Sequence, residues 1–331
     1  MLAGLVIVVF KSIFRVCTSV IGVLYFGYFR PAYKRFLHRL SNQCEIERIL
    51  SSCKYVTAAK IRKLEYSLRN SKDERLNNIL STLAALQSDH DDEQLVKLAR
   101  TICEVKQVCQ ADRRQWLESE LIIFFRMIIG YRFLIDRVEA ERSTSYDSTN
   151  QEHEELLLKL WSLLKPNDEL KNRISYQWTE IGFQGDDPGT DFRGMGVLGL
   201  QQLVFFSESR ADRARQLLSK SNHPTKGYPF AIVGISMTSL ARDLLREGAL
   251  RNHFFNTIRR APRLDDFHRV YCELFGIFDT YWTKINPSSI MEFVPVRHRF
   301  HTALRGSLSS EESILQEVQS PSLVEERLAD E

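Results

Sequence analysis

Along most of the chain, apolar residues recur at three- and four-residue intervals. Leu76, Ile79, Leu80, Leu83 and Leu86 follow this spacing, as do Leu95, Leu98, Ile102 and Val105. Such a period lines one face of an amphipathic helix. The run 121–135 (LIIFFRMIIGYRFLI) is apolar nearly all round, interrupted by Arg126, Gly130 and Arg132. It predicts a helix buried in a large helical domain rather than a second membrane span. Further helices are predicted over 152–164, 196–206, 208–219, 229–247, 250–259, 264–284 and 288–304. Pro166 ends the first of these, and Gly248 closes the 229–247 helix. Asn167 is placed to cap another helix, with Asp168 and Glu169 in its first turn. Alternation of the strand kind over six or more residues is hard to find, and no repeat recurs at a fixed period. The expected fold class is all-α. A large helical domain spans 115–305, preceded by a helical N-terminal region over 41–114. The polar, turn-rich stretch 141–150 (ERSTSYDSTN) reads as a candidate linker.

The two ends break this pattern. Leu2–Phe10 is an apolar run; Lys11 and Arg15 interrupt; Val16–Phe29 then carries no charge. A spanning helix needs about 20 apolar residues, which neither run supplies alone but both together approach. Tyr25, Phe26, Tyr28 and Phe29 followed by Arg30 resemble an interfacial aromatic belt with a basic flank. The start lacks the basic region and small-residue cleavage site of a secretory signal. Residues 1–40 are therefore expected to associate with a membrane, spanning it or lying on it, with Arg30, Lys34, Arg35 and Arg39 on the cytosolic side. A buried helix of a soluble core is the competing reading. At the other end, 306–331 is Ser-rich and acidic, expected as a flexible, solvated tail.

Composition adds exclusions. Of 331 residues, 44% are hydrophobic and 26% charged, which excludes a disordered chain. A mean hydropathy of −0.25 excludes a multi-spanning membrane protein. The net charge of +3 gives no footprint for nucleic acid. It also conceals a distribution: 1–40 holds six basic residues and no acid, while 306–331 holds seven acids and one base. The six cysteines form no CxxC pair and no zinc pattern. Cys103 and Cys109 are expected as small buried hydrophobes.

One segment is not ordinary helix. Six of the 15 glycines (Gly182, Gly185, Gly189, Gly194, Gly196 and Gly199) fall in Trp178–Leu200, WTEIGFQGDDPGTDFRGMGVLGL. Glycine and aspartate at this density mean a loop with special backbone dihedrals. Gly194-x-Gly196-x-x-Gly199 matches a dinucleotide-binding pattern literally, but no strand precedes it and no acid follows about 20 residues on. There is no P-loop, no kinase motif set, no nucleophile elbow and no HExxH. His298 and His301 lack a carboxylate partner in sequence and read as surface or packing residues. Arg193, the one base in the loop, has two readings. In the first, an ion pair with Asp187 or Asp191 pins the turn. In the second, Asp191 steadies a guanidinium presented to a phosphate on another molecule, a role the planar fork suits.

This segment resembles the ELMO-domain (ELMOD) family in its motif W-x3-IGFQG-DDP-x-TDFRG-x-G-x-LGL, Trp178 to Leu200. LLLKLWSLLKP (156–166), FAIVGIS (230–236) and IMEFVPVRHRF (290–300) match in order. The resemblance covers roughly 115–305 and implies an all-helical ELMO domain. It also implies a GTPase-activating protein for ARF and ARF-like small GTPases in the GTP form, in which the arginine of the DFRG motif is required. That position is Arg193, which would be supplied in trans. Trp178, Gln184, Asp187, Asp191 and Gly194 match the motif as candidates for shaping the loop or docking the GTPase. GTP and Mg²⁺ would belong to the partner, leaving no cofactor and no nucleotide-hydrolysing site here. The expected place is the cytosolic face of an intracellular membrane, or the cytoplasm with peripheral binding. Two alternatives stay open: a non-catalytic adaptor or effector, and a scaffold for a Rho-type exchange factor, as in larger family members that lack the arginine.

Overall fold

A computed structural model describes residues 36, 40–88 and 91–317, and among them there are helices and no strands. The expected membrane-associating segment lies almost wholly outside the described residues. Among the described residues, no helix is long and apolar enough to cross a membrane.

The chain opens with α1 (Glu45–Ser51), α2 (Thr57–Arg69), α3 (Glu74–Asn77), α4 (Ile79–Ala85) and α5 (Asp92–Val105). The cap of α1 is unusual: the Glu47 amide donates to Cys44 Sγ, and the Cys44 amide donates to Glu47 Oε2 at 2.7 Å. This reciprocal box satisfies two otherwise orphaned donors. Arg113 then pairs with the same Glu47 carboxylate at 2.7 Å, tying α1 to the long helix α6 (Ala111–Ser143). The apolar run 121–135 forms the middle of α6, whose 33 residues extend about 50 Å. It packs on α5 and α4 along one side and on α8 (Gly196–Ser209) along another. That explains why no single polar face shows in its sequence.

The remaining elements are α7 (Gln151–Leu164), α9 (Ala211–Ser221), α10 (Phe230–Arg246), α11 (Arg251–Thr257), α12 (Leu264–Ile285) and α13 (Phe293–Ser307). Helix α8 is central: α6, α7, α9, α10 and α12 all pack against it. Its core contacts include Phe206 against Phe275, which meets Phe230 and Tyr271 in turn. The buried apolar residues form a single cluster from Cys44 to Leu315, so the N-terminal helices share one core with the rest.

Three expectations differ from the structure. No helix follows Asn167, because side chains take the backbone groups that a helix would use. Trp161 Nε1 donates to Asp168 O at 2.7 Å, Gln177 Nε2 to Glu169 O at 3.0 Å, and Lys171 N donates to Gln177 Oε1 at 3.0 Å. Cys103 is buried but Cys109 is exposed, since it lies past the end of α5 in a turn around Gln107 at φ 54°. Residues 306–317 of the acidic tail are docked rather than solvated. Leu308 and Leu315 are buried, and Asn252 and Asn256 donate to Ser310 O at 2.9 Å and Glu311 O at 2.8 Å. The Leu315 amide donates to His253 Nδ1 at 3.0 Å, and Glu317 pairs with Arg213.

Candidate functional site: an arginine on a braced loop

The glycine-rich segment folds as two short 3₁₀ turns, Tyr176–Ile181 and Pro188–Arg193, that lead into α8. Both starts are written locally. Ser175 Oγ accepts from Gln177 N at 3.2 Å, and Asp187 Oδ1 accepts from Gly189 N at 3.0 Å with Pro188 first in the turn. Two glycines seat these turns against the helices. Gly182 has φ 86°, and a Cβ there would lie 2.2 Å from Phe230 N. Gly196 has φ 54°, and its Cβ would lie 2.3 Å from the carbonyls of Arg142 and Thr144. No other residue permits both the positive φ and the approach.

Under the second turn lies Arg173. Its Nε meets Glu154 Oε2 at 2.5 Å, Nη1 meets Asp187 Oδ1 at 3.0 Å, and Nη2 meets the Tyr146 hydroxyl at 3.3 Å. Tyr146 also donates to Glu154. Burial opposes the Arg173 charge, but the bonds to Glu154, Asp187 and Tyr146 outweigh it and raise its pKa. Tyr146 is raised as well, by burial first and then by Glu154. Aromatic rings continue the brace. Tyr146 packs on Phe192 at 5.4 Å between centroids, Phe192 on Phe183 at 5.6 Å, Phe183 on Trp178 at 5.9 Å, and Trp178 on Trp161 at 5.5 Å.

Each motif residue now has a place. Trp178 is fully buried and donates from Nε1 to Arg173 O at 2.9 Å. Asp187 caps the second turn and holds Arg173. The half-buried Asp191 accepts from Gln184 N at 2.8 Å; burial raises its pKa, opposed by that amide and by Arg193. Gln184 and Gly194 are exposed, and a Cβ at Gly194 would meet nothing within 4 Å. Arg193 is exposed at the end of the turn, and its Nε donates to Thr190 O at 2.8 Å. Among the described residues, its terminal nitrogens form no hydrogen bond or ion pair. The expected pairing of Arg193 with Asp187 or Asp191 is not formed: Asp187 binds Arg173 and Asp191 accepts the Gln184 amide instead. Arg173, Tyr146 and Glu154 escaped the sequence reading: Tyr146 sits in the stretch read as a linker, and Arg173 in one without periodicity.

The site is thus a helical scaffold presenting one uncommitted guanidinium on a rigid loop, a form suited to acting on a phosphate held by another macromolecule. The sequence model of the ELMO/CED-12 family matches residues 136–297. ELMO domain-containing protein 2 of Mus musculus is 41% identical over 291 residues, covering 88% of this chain and 96% of that protein. ELMO domain-containing protein 1 of Bos taurus is 40% identical over 322 residues, covering 92% and 96%. ELMO domain-containing protein B of Dictyostelium discoideum is 32% identical over 278 residues, covering 82% and 92%. The chain belongs to the ELMO/CED-12 family. The likeness extends well outside 136–297, into the helices that precede it.

Proposed function

We propose that this chain activates GTP hydrolysis on an ARF or ARF-like small GTPase by inserting Arg193 in trans. The observation that carries the reading is the contrast within one loop: Arg193 is exposed with its terminal nitrogens uncommitted, on a turn that Asp187, Arg173 and Phe192 hold fixed. Phosphoryl transfer to water needs little covalent help. It needs charge placed against the transferring group, and fixed charge costs no reorganisation when the reaction occurs. The fork can bind two phosphate oxygens at once and stays charged at any relevant pH. GTP and Mg²⁺ come with the partner. The N-terminal segment would hold the chain on the cytosolic face of a membrane where the GTPase is met.

The test is single-turnover GTP hydrolysis across a panel of ARF and ARF-like GTPases, with the full chain and its Arg193→Ala variant. One or more GTPases should be accelerated by the full chain, and the variant should lose that acceleration while still binding. A chain that binds the GTP form and leaves hydrolysis unchanged is an effector, and the proposal fails. Equal stimulation by the variant sinks the role of Arg193.

A further inference from the structure

At the end of α12 the chain turns through 286–289 into a 3₁₀ turn, Ile290–Glu292, which runs on into α13. This turn carries the most exposed large apolar side chain among the described residues, Met291 at 85%, beside Val294 at 72% and Ile290 at 40%. The tip is rigid. The Met291 amide donates to Ser289 Oγ at 3.2 Å, and Glu292 accepts from Ser288 N at 2.8 Å and Ser288 Oγ at 2.6 Å. Phe293 points inward, packing on Phe278 and Trp282 at 5.8 and 6.3 Å between centroids. Three aliphatic side chains are therefore held out in water by a fixed backbone, where burying each is favourable and nothing of the described chain covers them.

The charge around the tip is net basic. Between Asp279 and Glu311, Glu292 is the only acid, whereas Lys284, Arg297, Arg299 and Arg305 are basic. Lys284, His298 and Arg299 are exposed. Trp282 Nε1 donates to Lys226 O at 3.0 Å, which brings the exposed Lys226 to the same end of the molecule. Glu292 keeps its negative charge, which the Ser288 bonds stabilise, and the exposed Lys226, Lys284 and Arg299 outnumber it. Protein docking surfaces centre on aromatic and arginine anchors in packed pockets. A projecting tip of Ile, Met and Val with a basic rim instead matches a fluid apolar layer under anionic headgroups.

We propose that Ile290, Met291 and Val294 insert into an anionic lipid surface, with Lys226, Lys284, His298 and Arg299 attracting its headgroups. This contact is independent of the N-terminal segment and of the Arg193 chemistry. It would give the helical domain a fixed orientation on a membrane.

Amide hydrogen exchange of the full chain tests it, with vesicles of phosphatidylcholine alone and with phosphatidylserine added. The amides of 289–294 and 296 lie at this projecting start of α13, where local opening exposes them, so their exchange reports coverage by a bilayer. On phosphatidylserine vesicles their exchange should slow by at least about tenfold, which is less than fully burying two such side chains can supply. The slowing should disappear in Met291→Asp/Val294→Asp at equal amounts of bound protein, and weaken in Lys284→Glu/Arg299→Glu or at high salt. Unchanged melting temperatures confirm that these exposed positions leave the fold intact. Exchange unaltered by either vesicle overturns the proposal. Equal slowing on neutral vesicles overturns the role of the basic rim, and slowing by a soluble GTPase without vesicles assigns the tip to a protein partner instead.

Discussion

Arg173 and Arg193 bracket the same loop and do opposite things. Arg173 is three-quarters buried and spends its guanidinium on Glu154, Asp187 and Tyr146. Arg193 is exposed and spends only its Nε, on Thr190 O. The same side chain thus serves as a brace where each of its three nitrogens has a partner and, under the proposed function, as a reagent where the outer donors are left open. A buried arginine needs partners or its desolvation is uncompensated, whereas a surface one can stay hydrated until a ligand arrives.

Under the proposed function, Arg193→Ala separates the two arginines most sharply. The expected loss is about 10³–10⁵-fold in stimulated hydrolysis, roughly 4–7 kcal/mol of barrier, with no change in melting temperature. Arg193→Lys should fare almost as badly, because a point charge does not replace the fork. Next come two glycines. Gly182→Ala forces a side chain onto the Phe230 amide at positive φ and should cost about 3 kcal/mol in denaturant unfolding. Gly194→Ala, with φ −84° and open space around its Cβ, should leave stability unchanged. A loss of activity there would then report contact with the partner.

Arg173→Ala removes the brace rather than the reagent. Its carboxylate partners are partly exposed, so the expected destabilisation is about 2 kcal/mol rather than the full cost of a buried pair. Its hydrolysis defect should exceed what the lost folded fraction explains, and measuring rate and folded fraction together separates the two. A last effect is a slope, small at each step of pH. Burial holds His253 at about 4 against an ordinary 6.5, opposed by Glu273 and Asp266, while its Nδ1 accepts the Leu315 amide. Between those values the unfolded chain binds a proton that the folded chain refuses. The stability present above pH 6.5 should therefore decline as pH falls toward 4, on the order of 1 kcal/mol per pH unit. His253→Gln should flatten that slope in urea titrations at a series of pH values.

The helices were legible because periodicity reports which face is buried whatever the partner. Predicted 264–284 is Leu264–Ile285, and predicted 229–247 is Phe230–Arg246. The 33-residue α6 was legible only in its apolar middle, since its ends are polar and carry no matching period. Arg193 stood out because glycine, proline and aspartate mark a shaped loop around it. The residues that brace the loop did not, because they come from 146, 154 and 173, positions that only folding brings beneath the turn. The tail was misjudged over 306–317 for the same reason. Two leucines seven residues apart carry little pattern until Asn252, His253 and Asn256 on one short helix supply donors and an acceptor for their backbone.

What the sequence determined by itself is local: helical period, caps such as Ser175 and Asp187, the glycines at 182 and 196, and an arginine on an irregular loop. These follow from backbone sterics and from which side of a helix must leave water. What only the tertiary structure decided is which charges meet. Asp187 lies six residues from Arg193, yet it binds Arg173, because pairing depends on where α7 and the 144–146 turn bring their side chains. That choice leaves Arg193 open: Asp187 is turned toward Arg173 and Asp191 toward the Gln184 amide, and neither carboxylate forms an ion pair with Arg193.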